Sequence, residues 1–132
     1  MTGVDIDSHG IEMAYGFAEK LEVKARWRGV VGDHTRLNDL NVPEMAEMYD
    51  VAVAQEVLEH VFDLDLTLEL LRRRLYPGGL LLMSFPFGDW EAPSVWPNMR
   101  GHVRLVLPQD CKELFADHEI VSCGLLQTSQ LS

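Results

Sequence analysis

The sequence predicts an α/β fold, a mostly parallel twisted sheet with helices on both faces. Two observations lead there. The apolar runs "YDVAVAQ" and "LLLMSF" have the length and composition of strands buried on both faces. Segments with helical spacing lie between such runs, and alternating strands and helices build parallel sheets.

Residues 3–6 read as a short first strand, "GVDI". Ser8 is placed to cap a helix whose apolar positions Ile11, Ala14, Ala18 and Leu21 follow the helical period. A second strand is expected from about 25 to 31, ending at Gly32-Asp33. Pro43 opens a short helix, since proline suits a first helical turn. "YDVAVAQ" is the third strand. Leu64, Leu68, Leu71 and Leu75 form one stripe of the next helix, with Arg72, Arg73 and Arg74 complementing its dipole and Pro77-Gly78-Gly79 stopping it. "LLLMSF" follows as a strand, then a Pro-, Gly- and Trp-rich loop. A helix from 108 to about 116 and a last strand over 119–126 complete the order.

At 132 residues and 47% apolar content, a single domain over 1–132 is expected. The net charge of −10 argues against a broad nucleic-acid or anionic-membrane surface. The longest apolar run is too short to span a bilayer, and the acidic N-terminus does not resemble a signal peptide. Cys111 and Cys123 lack metal spacing and read as reduced thiols, which fits a cytoplasmic compartment.

Five stretches then acquire a joint meaning: "GVDIDSHGIEMA", "VVGD" over 30–33, "YDVAVAQEVLEHV", "LRRRLYPGGLLLMSFP" and "GHVRLVLPQDCKELF". In this order and spacing the chain resembles the class I S-adenosylmethionine-dependent methyltransferases. The resemblance implies a Rossmann-like sheet with S-adenosylmethionine across the carboxyl ends of its strands. It implies that Asp5 accepts from both ribose hydroxyls and that Ile6 lies against the adenine face. Asp33 is implied to accept from the adenine amino group, with the backbone near His34 reading the ring edge. Gln55 and Glu56 fall beneath the methionine part. Taken alone, Asp5 and Asp7 would serve as well as helix-entry acids, and Asp33 as a turn residue.

The family's strand and Gly-x-Gly turn should precede the acid of "GVDID", and only four residues come before Asp5. The expectation is therefore an N-terminally truncated domain, lacking a βα unit of about 30 residues, with cofactor binding weakened. Losing a central strand would leave the "GVDI" and "YDVAVA" strands to pair with each other or with a second chain. A bared apolar sheet face adds to this, so a homodimer or larger assembly is expected.

His60 is the candidate catalytic base, since histidine takes a proton near neutral pH. Glu56 and Glu59 lie close to it in sequence, but there is no HExxH and no evident third ligand, so no metal site is predicted. The loop at about 85–104 is expected to receive a small-molecule acceptor, with Trp90, Trp96, Arg100 and His102 shaping the pocket. The implied reaction is methyl transfer to a nucleophilic atom. The competing reading is a non-catalytic domain that keeps this fold for assembly.

Overall fold

A computed structural model of the chain describes residues 1–33, 36, 42–86, 101–116 and 119–124. The elements, in chain order, are β1 (Thr2–Asp5), α1 (Ser8–Lys20), β2 (Arg28–Val31), β3 (Tyr49–Gln55), α2 (Leu64–Arg72), β4 (Leu75–Ser84) and α3 (Cys111–Leu114). Every strand pairing among them is parallel, as the alternation of elements predicts.

The strands form two separate sheets, β1–β2 and β3–β4. Among the described residues β1 and β3 do not close up into one ladder, which was one of the two expected outcomes. Side chains join the halves instead. Leu70 of α2 and Val30 of β2 form a buried cluster with Val4, Val42 and Leu71 around it. The Tyr49 hydroxyl donates to Thr2 Oγ1 at 2.7 Å, and Arg28 forks onto both carboxylate oxygens of Glu47 at 2.7 and 2.5 Å. That bidentate pair holds the Glu47 carboxyl below its usual range.

The larger core lies on one face of β3–β4. Ala54, Leu58, Val61, Leu64, Leu68 and Phe115 are buried together, with Leu81, Met83 and Phe85 packed against them. The other face corrects the expectation of strands buried on both sides. Val51 pairs with Leu80 and Val53 with Leu82, so all four side chains share one face. They are 44%, 49%, 64% and 53% exposed in that order. The described helices that reach this sheet cover only the Ala52–Ala54 side.

Local boundaries moved for identifiable reasons. Asp7, not Ser8, caps α1: its carboxylate accepts from His9 N at 2.9 Å. The second strand begins at Arg28, because Arg26 and Trp27 close turns onto Val23 and Lys24. Helix α2 ends at Arg72, three residues before Leu75. Tyr49 N takes the Arg74 carbonyl at 2.7 Å, which draws that residue to the sheet and puts Leu75 in β4. Pro77-Gly78-Gly79 therefore does not stop the helix but lies in the register shift between the Tyr49↔Leu75 and Val51↔Leu80 pairs. The described part of the last expected strand, 119–124, is not strand: no described strand offers it a ladder, and Ile120 and Val121 stay exposed.

Candidate functional site

The first pair of candidate residues sits where β1 and β2 end side by side. Asp5 pairs with Val31, and Gly32 N donates to the Asp5 carbonyl at 2.9 Å, so Asp5 and Asp33 leave neighbouring strand tips. Asp5 Oδ1 accepts from Asp7 N at 2.9 Å, which fixes the carboxylate over the first turn of α1. Gly10 eases that approach, because a Cβ there would stand 3.3 Å from Asp5 Oδ2, a tight contact. Ile6, between the two acids of "DID", is 72% exposed. A carboxylate presented this way can take two hydroxyls, and an exposed aliphatic beside it can take a flat ring.

Gln55 ends β3, and Glu56 follows with φ 52°, a left-handed conformation unusual for a side-chain-bearing residue. Two bonds to β4 hold it there: Glu56 N donates to the Ser84 carbonyl at 3.2 Å, and Ser84 Oγ donates to Glu56 Oε1 at 2.7 Å. Local strain of this kind gathers at functional positions.

The chain then makes a tight turn over Leu58–His60. Leu58 and Val61 anchor that turn in the core, while Glu59 and His60 between them face segment 101–104. Val103 N donates to the Glu59 carbonyl at 2.8 Å. Arg104 Nη2 donates to the Val61 and Phe62 carbonyls at 2.5 and 2.9 Å. The clamp sets the His60 and His102 rings 4.7 Å apart, edge to face. His60 Nδ1 meets the Gly101 carbonyl at 3.2 Å, and Gly101 adopts φ 70°, where glycine is favoured.

Glu59 is the residue sequence reasoning passed over. Its side chain is 2% exposed, Oε1 lies 3.9 Å from His60 Nε2, and among the described residues Oε2 accepts no hydrogen bond. Burial pushes its carboxyl above the usual range, opposed by its own backbone and by His60 and His102. The only signal in the sequence was its place beside His60, an acid between two apolar core positions. His34, Trp90, Trp96 and Arg100 lie outside the described residues.

The comparisons with known proteins bear on this arrangement. A family profile described as "Methyltransferase domain" matches residues 1–119. The chain belongs to the methyltransferase domain family. Its similarity to a ubiquinone biosynthesis O-methyltransferase of Nitrobacter winogradskyi is 32% identity over 90 residues, 68% of this chain and 31% of that protein. A solved structure described as "StiE O-MT residues 961-1257" aligns with TM-score 0.53 and 26% identity, over 62% of this chain and 27% of the other. The chain thus spans about a third or less of the length of the relatives it matches.

Family membership and the parallel α/β architecture agree with the resemblance read from the sequence. Asp5, Asp33, Gln55 and Glu56 all lie at or just past the carboxyl ends of parallel strands. No helix of the described residues is long and apolar enough to cross a membrane.

Proposed function

We propose that this chain supplies the adenosine-gripping strands and the acceptor-side wall of an S-adenosylmethionine-dependent methyltransferase. The observation that carries the reading is the placement of Asp5 and Asp33 on neighbouring parallel strand tips, with Gly10 clearing the Asp5 carboxylate. The residues present suit the adenosine half of the cofactor. Asp5 Oδ2 faces no other hydrogen-bond donor among the described residues, which leaves it for a ribose hydroxyl, and Ile6 offers apolar surface beside it. Gln55 and Glu56 stand at the next sheet's tips for the methionine part.

Bound S-adenosylmethionine supplies an electrophilic methyl on a sulfonium. The residues of this chain position the partners and move a proton. A proton on His60 Nδ1 satisfies the Gly101 carbonyl and leaves Nε2 as the base for an acceptor. Positioning contributes most where no other covalent step is needed. The relatives' names favour a hydroxyl acceptor. The net charge of −10 favours a small molecule over nucleic acid, and the free thiols Cys111 and Cys123 fit a cytoplasmic setting. Trp90, Trp96, Arg100 and His102 are the proposed acceptor contacts.

Assembly is part of the reading. The separate sheets and the exposed Val51, Val53, Leu80 and Leu82 favour a homodimer or larger complex that covers this face. The same observations favour the competing reading, a non-catalytic assembly domain. Calorimetry with S-adenosylhomocysteine distinguishes the two. Binding that Asp5→Ala weakens about tenfold or more is expected for the methyltransferase. Absence of heat at about millimolar ligand leaves the assembly domain standing.

A further inference from the structure

We propose that Glu59, His60 and His102 bind a divalent transition-metal ion. One ligand atom from each lies within 4.8 Å of the other two. Metal–ligand bonds of about 2.0–2.2 Å place neighbouring donors about 3.4 Å apart, so the side chains need to close by only about an ångström.

A cluster of donors is common without an ion, but here a second observation points to one. Among the described residues Glu59 Oε2 is buried with no hydrogen-bond partner, while Oε1 of the same carboxylate faces His60 Nε2 at 3.9 Å, inside a turn whose neighbours Leu58 and Val61 are core residues. A carboxylate stripped of water and left unpaired is costly. A cation between it and the two imidazoles removes that cost. The Gly101 carbonyl at His60 Nδ1 is the kind of outer contact that fixes a ligating ring's orientation, here presenting Nε2 toward Glu59. His60 is 42% exposed in its side chain, so the site opens to solvent on that side.

Two imidazoles and one carboxylate select the metal class. Mg²⁺ and Ca²⁺ prefer sets of oxygen donors, whereas Zn²⁺, Co²⁺ and their neighbours accept imidazole nitrogen readily. Three protein ligands leave an open position. An acceptor hydroxyl bound there would release its proton to solvent more easily, because the ion stabilises the alkoxide. With metal bound, His60 is a ligand rather than the base. This last use rests on the methyl-transfer reading; the binding itself does not.

The test is direct metal binding to the tag-free chain, with Zn²⁺ by calorimetry and Co²⁺ by its visible ligand-field spectrum. One ion per chain is expected, undisturbed by excess Mg²⁺. Glu59→Gln, His60→Ala and His102→Asn should each weaken Zn²⁺ by about tenfold or more, and His9→Asn, on the exposed face of α1, should not. Because Glu59 and His102 are buried, circular dichroism accompanies those variants, and half-exposed His60 decides the matter if either unfolds. No Zn²⁺ binding to the wild type, or binding that survives His60→Ala, overturns the proposal. Failure to bind S-adenosylhomocysteine leaves this outcome untouched, so the two readings fail separately.

Discussion

Replacing Val53 and Leu82 together by serine tests whether the bare face of β3–β4 is an assembly surface. The two residues face each other in register and are 64% and 53% exposed, so each has roughly half of its burial still to gain. Full burial of such a side chain is worth about 1.5–3 kcal/mol, which leaves about 1 kcal/mol for each of Val51, Val53, Leu80 and Leu82. In a twofold dimer the patch counts twice, giving about 8 kcal/mol gross against an association cost of similar size. The double variant removes about half of that, which raises the dimer dissociation constant by about two to three orders of magnitude. Sedimentation velocity over a concentration series reads the shift. In the isolated chain the same change costs little stability, because little burial is lost. If wild type and variant show the same mass at every concentration, the face is not what holds copies together. If the variant is instead destabilised by several kcal/mol independently of concentration, the face is covered within one chain.

Leu58→Ala acts on the opposite side of the same sheet. Leu58 is 0% exposed and sits among Ala54, Val61, Leu64, Leu68 and Phe115, so a loss of about 3–5 kcal/mol is expected by urea denaturation; a loss under about 1 kcal/mol would contradict the packing described. The thiols should separate by pH. Burial, then Cys123, push the Cys111 thiol up, so at pH 8 fewer Cys111 thiolates exist and alkylation should lag behind exposed Cys123. The gap should narrow as pH rises, followed by mass spectrometry; equal rates at pH 8 would show that Cys111 is not shielded.

Much of the fold was legible because its signals are local. The leucine spacing of α2 and the aliphatic runs of β3 and β4 name their own element types. What failed was set by distant partners. The end of α2 depends on Tyr49 taking the Arg74 carbonyl, a contact no spacing rule contains. The expectation of two-sided burial for "YDVAVAQ" read composition correctly, but burial depends on what lies opposite, and one side of the sheet has no described cover. Ser8 and Asp7 are equally good caps on paper; the nearby Asp5 carboxylate, holding Asp7 N, orients Asp7 for the role.

The site divides along the same line. Asp5 ends β1 and Asp33 lies two residues past β2, so motif order was enough to place them at neighbouring tips. His102 could not be placed against His60 from sequence, because the Gly101 contact that joins them spans 41 residues and depends on the Arg104 clamp.

That division has a physical consequence for how the two halves of the site respond to disruption. The Glu59–His60 turn is bracketed by Leu58 and Val61, both in the larger core, and segment 101–104 is bonded to its backbone. Its geometry is therefore inherited from α2, β3, β4 and Phe115, none of which needs the ladder between β1 and β3. Among the described residues, β1 and β2 contribute no side chain to that larger core. Among the described residues their two-stranded sheet meets the rest through the small Val30–Leu70 cluster, the Tyr49–Thr2 hydroxyl contact and the exposed Arg28–Glu47 ion pair. Exposed pairs contribute little and isolated two-stranded sheets are marginal, so the β1–β2 half is the one that loosens first. A strand or partner that joins β1 to β3 would then act mainly on the proposed S-adenosylmethionine site and leave the Glu59–His60 turn as it is.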